Sequence, residues 1–201
     1  VKENALSAML DFCRSCEDKR VIRNATAAVA NLATDADSRP SIIKEGGVDL
    51  LVKILCSSRD HKTQAYIADS LAKLAQDENS RASVVNAGAL PQLITVFSTS
   101  KDVVVISNCA GALANLALDA SVRPQIIPSG AVKTLVQFCN TVFSEDPKVL
   151  QNSTNALRNV SLHPNSIDQL VQDNAVSALI ELCDLSEDVI VLRHSAQTLR
   201  N

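Results

Sequence analysis

Three residue classes in this chain could do chemistry. The first is cysteine: six are present, and Cys13 and Cys16 form a C-x-x-C pair, a spacing that can hold zinc or exchange disulfides. No second pair or neighbouring histidine completes a zinc site around them. The second class is histidine. His61, His163 and His194 could act as bases, yet none recurs with a carboxylate or thiol at a catalytic spacing. A phosphate-binding loop, G-x-S-x-G and G-x-G-x-x-G are all missing. The third class is the carboxamide. Asn31, Asn115, Asn159 and Asn201 form a series with Lys73, at separations of 42, 42, 44 and 42 residues. An amide offers one acceptor and two donors and forms no covalent intermediate, so the series points to recognition. The expectation is a chain without catalysis, metal or cofactor.

The series belongs to a repeat that runs through the whole sequence. Each member closes a similar phrase, as in Ala28-Val29-Ala30-Asn31-Leu32 and Ala112-Leu113-Ala114-Asn115-Leu116. A second phrase opens each unit, with Asp35, Asp77 and Asp119 four residues before Arg39, Arg81 and Arg123. A glycine follows at a fixed offset: Gly46, Gly88 and Gly130. Units of this length cannot bury their apolar faces alone and must stack. The expected units are 1–34 (partial), 35–76, 77–118, 119–162 and 163–201, in one array that continues beyond this segment. Tryptophan is absent and aromatics make up 2%, which suits thin helical layers packed through Ala, Val, Leu and Ile.

Within a unit the pattern predicts three helices. A short one begins at a Ser80 cap, covers Arg81 to Ala87 and stops at Gly88. Pro40 and Pro124 fall in the first turn of its counterparts, where a missing N–H does no harm. The second covers about Leu90 to Phe97, with apolar residues at i, i+3, i+4 and i+7. The third starts at an aspartate in every unit (Asp18, Asp60, Asp102, Asp146 and Asp188), read as a cap. The β-branched runs 103–106 and 189–191 would favour strand in isolation, and stacking is expected to override them. The last unit departs from the pattern: Ile167 replaces the arginine, Asn174 the glycine and His163 the aspartate. Asn tolerates the left-handed conformation, so that corner can survive. Phe143 lies in the loop stretch 139–144, which holds two extra residues, and there it either folds back on the core or anchors a partner.

Composition narrows the function classes. A net charge of −3 carries no basic signature of nucleic-acid binding. No stretch reaches the roughly 18 apolar residues of a membrane span. Cys13, Cys56, Cys139 and Cys183 read as one recurring small, half-buried position, and free thiols point to a reducing compartment, cytoplasmic or also nuclear. The N-x-S/T sequons at Asn24, Asn152 and Asn159 lie inside predicted helices and read as coincidence.

Three helices per unit, the glycine corner, Gly88-Ala89-Leu90-Pro91-Gln92-Leu93 and Ala112-Leu113-Ala114-Asn115-Leu116 together resemble the armadillo repeat. The resemblance covers essentially the whole chain and implies an all-α fold, a right-handed α-α superhelix. It also implies a concave groove lined by the third helices, whose closing asparagines bond the backbone of an extended peptide. Here that groove would carry Asn31, Lys73, Asn115, Asn159 and Asn201. One turn earlier stand Asp69 and Asn155, beside Ala27, Gly111 and Gln197. Two turns earlier stand Asn24, Tyr66, Asn108, Asn152 and His194. A polar stripe can also be a plain solvated face, but repeated asparagine, a mediocre helix former, favours use. The third helices carry more Lys and Arg than acid, so an acidic protein or peptide partner is expected. A small-GTPase regulator of armadillo type is an alternative. A nuclear-import adaptor fits less well, because its groove tryptophans have no counterpart here.

Overall fold

The computed structural model describes residues 2–140 and 146–201, so Phe143 lies outside the described residues. Among them every regular element is helical. In chain order these are α1 (Lys2–Ser15), α2 (Lys19–Thr34), α3 (Arg39–Lys44), α4 (Gly47–Ser57), α5 (His61–Leu74), α6 (Glu78–Asn86) and α7 (Ala89–Thr99). They are followed by α8 (Val103–Leu116), α9 (Arg123–Ile126), α10 (Ala131–Cys139), α11 (Pro147–Val160), α12 (Ser166–Gln172), α13 (Ala175–Leu185) and α14 (Val189–Arg200). Short 3-10 turns precede α3 and follow α9.

The helices sort into columns. α2, α5, α8, α11 and α14 pack one on the next, and α1, α4, α7, α10 and α13 form a second column beside them. The result is an all-α solenoid. Its core is a continuous line of side chains such as Leu51, Ile67, Leu71, Phe97, Leu113, Leu135 and Leu157, each almost fully buried. The β-branched runs are helical, as expected: Val105 and Val191 are buried in α8 and α14, and the gain from that burial exceeds the local preference for strand.

The corners follow the sequence closely. Gly46, Gly88 and Gly130 have φ of 70°, 73° and 82°, and Asn174 adopts the same left-handed conformation at 60°. All five aspartates cap their third helices, for example Asp102 Oδ1 accepting from the backbone N–H of Val104 and Val105.

Two expectations need correction. Ser80 is not the cap of α6. The cap is Asp77, whose Oδ2 accepts from both the N–H and the hydroxyl of Ser80, so the helix begins a turn earlier. The cysteines do not share one position. Cys13, Cys139 and Cys183 each stand where Leu55 and Phe97 stand, whereas Cys56 comes one residue later and is exposed.

Candidate functional site

The third helices carry the candidate residues, and their end chemistry explains much of the column. α5 ends at Leu74, and the N–H groups beyond it bond the carbonyls of Leu71, Lys73 and Leu74, which leaves the Ala72 carbonyl without a backbone donor. The same is true of Ala114 in α8. Such orphan carbonyls need partners. The next layer supplies them: Asn115 Nδ2 donates to Ala72 O at 2.8 Å, and Asn159 Nδ2 to Ala114 O at 2.7 Å. Lys73 Nζ reaches Ala30 O at 3.1 Å. At the last layer Ser161 Oγ donates to Arg158 O, and Asn201 Nδ2 donates to that hydroxyl at 3.0 Å. The closing residue of one layer therefore braces the layer before it. These amides are not spare to the fold.

Two turns earlier the same arrangement recurs. Asn108 Nδ2 donates to Ala65 O at 2.9 Å and Asn152 Nδ2 to Ser107 O at 2.9 Å. Gly111 makes room for this, since a Cβ there would sit 3.2 Å from the Asn152 amide nitrogen. A glycine inside a helix costs about 1 kcal/mol relative to alanine, and close approach of the next layer is the reason for it here.

The structure brings these residues onto one face, but not with equal access. Asn24, Asn31, Tyr66 and Asn201 are exposed. Asp69, Lys73, Asn108, Asn115, Asn152 and Asn155 are half-buried. Asn159 and His194 are buried, at 1% and 7% exposure. His194 Nδ1 lies 3.3 Å from Thr154 Oγ1, and burial, with Arg158 and Arg193 nearby, lowers its pKa.

Charge is settled differently along the column. Arg23 grips Asp60, the cap of the next third helix, through Nε and Nη2 at 2.9 and 2.6 Å. That bond, helped by Thr63, holds the Asp60 carboxyl far below the usual range. Lys73 pairs with Asp69 at 2.8 Å. Gln151 replaces Arg23 in the fourth layer and donates to the cap Asp188 at 2.7 Å. Arg158 has no carboxylate partner: Nη2 donates to Asn155 Oδ1, and Nε is buried without a partner among the described residues.

Sequence reasoning left the partner of the opening arginine unnamed. Arg39, Arg81 and Arg123 donate through Nε to the carbonyls of Ala33, Ala75 and Ala117, six residues back, at 2.8 to 2.9 Å. They cap the preceding third helix. Each acceptor is a backbone atom, which leaves no letter in the sequence. His163 takes over the work of the missing aspartate, its Nδ1 accepting from Asn165 N–H at 3.2 Å.

Three of the six cysteines are poorly placed as nucleophiles. Burial pushes the Cys109 and Cys139 thiols up to about 12 and Cys13 to about 11, which leaves little thiolate at neutral pH. Among the described residues no cluster of three His, Cys, Asp or Glu could hold a metal. Nor is any described helix long and apolar enough to cross a membrane.

Residues 77–118 and 119–162 match the family model described as Armadillo/beta-catenin-like repeat. No curated protein matches the chain. The crystal structure of an engineered protein is similar over 97% of this chain and 78% of its own, at 29% identity and a TM-score of 0.87. A designed armadillo repeat protein is similar over 98% of this chain and 82% of its own, at 26% identity and a TM-score of 0.88. A designed armadillo repeat protein in complex with peptide (KR)4 is similar over 96% of this chain and 80% of its own, with a TM-score of 0.85. At 20% identity that likeness is one of fold.

Proposed function

The chain belongs to the armadillo-repeat family, and from that premise we propose that it is a non-catalytic scaffold holding a partner protein or extended peptide along the third helices. One observation carries the reading. Asn108, Asn115 and Asn152 each turn Nδ2 toward the preceding layer, so Oδ1 points the other way and accepts nothing from the described residues. The interlayer bond thereby fixes the amide orientation that would otherwise be ambiguous. A row of oriented, half-buried acceptors suits the N–H groups of an extended backbone, which recur in every sequence. Asn31, Tyr66, Asp69, Lys73 and Asn155 flank that row as further contacts, with the exposed Asn24 and Asn201 at its ends. Asn159 and His194 act beneath the row by positioning it.

The partner segment is acidic where it meets the last two layers. Arg158, Arg193 and Arg200 make no ion pair with a described carboxylate, so a partner carboxylate would gain a charge-assisted bond without displacing one. The test is selection from a random peptide library, followed by affinity measurements on the selected peptides. Enrichment in Asp and Glu is expected, with affinity lost when Arg158 and Arg193 are both changed to Glu. Peptides that bind equally well to that variant, or to one with Asn108 and Asn115 replaced by Leu, would remove the groove reading.

A further inference from the structure

Between α1, α2, α4 and α5, off the third-helix stripe, lies a pocket of about 510 Å³. Its interior is apolar, with Cys13 and Ile54 buried and Ile22 and Leu50 half-buried. Four exposed cations line it: Arg14, Lys19, Lys53 and Arg59. Arg14 is committed to the Glu45 carbonyl and to Asp11. Lys19, Lys53 and Arg59 make no side-chain hydrogen bond or ion pair with any described residue. Two carboxylates share the lining. Asp60 has both oxygens taken by Arg23 and Thr63, which leaves Glu17 as the one carboxylate there not tied to a cation. In a chain of net charge −3 this is a local excess of positive charge.

Helix electrostatics do not account for it. Arg14 lies in the last turn of α1, where the dipole favours a cation. Lys19 is the first residue of α2, at the positive end of that helix, and Arg59 lies between Ser58, the C-cap of α4, and Asp60, the cap of α5, so that the two helix ends oppose each other there. The repeat provides an internal contrast. The positions of Lys53 and Arg59 are held by Thr95 and Lys101 in the next unit and by Glu181 and Glu187 in the last. The basic cluster is thus particular to the first interface.

We propose that this pocket binds a small phosphomonoester, its dianionic phosphate held by Lys19, Lys53 and Arg59 and its apolar body lying on Ile22, Leu50 and Ile54. Ser58, whose Oγ already accepts from Asp60 N–H, keeps its hydroxyl proton for a phosphate oxygen. The doubly charged group fits better than a single carboxylate because three unpaired cations surround one opening.

The test is calorimetric titration with phenyl phosphate at low salt, beside inorganic phosphate and phenol. Saturable single-site binding is expected, tighter for phenyl phosphate than for either half-probe, with amide shift changes confined to 13–22 and 50–63. The double variant Lys53→Glu/Arg59→Glu, which copies the last unit, should weaken binding at least about tenfold with unchanged helical circular dichroism and melting. Lys19→Gln alone should weaken it less. Vesicles of phosphatidylcholine doped with phosphatidic acid separate the sources: vesicle binding that phenyl phosphate competes away assigns the phosphate to a lipid headgroup, and its absence assigns a soluble ligand. Unsaturable binding, shift changes spread over other basic surfaces, or an unaffected double variant overturns the proposal. None of these outcomes bears on the groove.

Discussion

The two ends of the third-helix column settle their charges in opposite ways. In the first layers Arg23 is locked to Asp60 and Lys73 to Asp69, and each cation also ties one layer to another. In the last layers a neutral Gln151 holds Asp188, while Arg158 and Arg193 stand near one another and near His194 with no described carboxylate paired to them. A neutral amide braces adjacent layers at the Arg23 position, so the solenoid does not require ion pairs there. Cations left unpaired at the far end are then available for something other than the fold.

The largest effect that can sharpen the comparison comes from the core. Leu113 and Leu199 are equivalent in the repeat, but Leu113 is covered by the next layer whereas Leu199 is 40% exposed beside an apolar hollow that includes Ile167 and Val176. Leu113→Ala should cost about 2–5 kcal/mol, and Leu199→Ala less than about 1 kcal/mol. Urea denaturation of both variants checks this. Equal losses would mean that the last layer is covered in solution or that the column is not stacked as described.

The closing amides give the next contrast, smaller and more pointed. Asn159 is buried and caps the Ala114 carbonyl; Asn31 is exposed and makes no side-chain hydrogen bond with the described residues. Asn159→Ala leaves a buried carbonyl unsatisfied and should destabilise by about 1–3 kcal/mol. Asn31→Ala should fall within about 0.5 kcal/mol of the parent. A silent Asn159→Ala would return these amides to a purely external role.

That contrast also marks where the sequence stops being legible. Asp102, Gly88 and Leu113 announce themselves because their work is local: a cap needs an oxygen just before a helix, a corner needs positive φ, and a core needs periodic apolar residues. The stack could be read from that grammar, and so could the survival of the corner at Asn174. The amides could be lined up but not oriented, because their acceptors, such as Ala72 O and Ala114 O, are backbone atoms some 43 to 45 residues away. Arg81 kept its partner hidden for the same reason. Ser80 passes for the cap in the sequence because its hydroxyl and the aspartate three residues earlier both suit one, and Asp77 with its charge accepts two donors at once. The unequal access of Asn31 and Asn159 follows from neighbours that one-dimensional spacing does not weigh.

The smallest predicted effect probes the unpaired end directly, through pH. His194 faces Arg158 from α11, Arg193 on its own helix and the cap Asp188, and Thr154 packs against its ring. Burial is the main cause of its lowered pKa and the two arginines add to it; a hydrogen bond to the Gln151 backbone and, after it, the Asp188 charge oppose them. A histidine whose folded pKa lies below the unfolded value of about 6.5 takes up a proton more readily when unfolded. Its contribution to stability is therefore complete above that value and is lost as pH falls toward the folded pKa. The parent should lose stability between pH 7.5 and pH 5, and a His194→Gln variant should lose less over the same interval. Arg193→Ala should move the His194 imidazole resonance midpoint upward, because one of the two cations repelling its proton is gone. An unchanged midpoint in that variant would mean that burial alone sets the value and that the arginines lie too far off to act as a local field. The contrast between the two ends would then reduce to a difference in pairing, with no consequence for the groups between them.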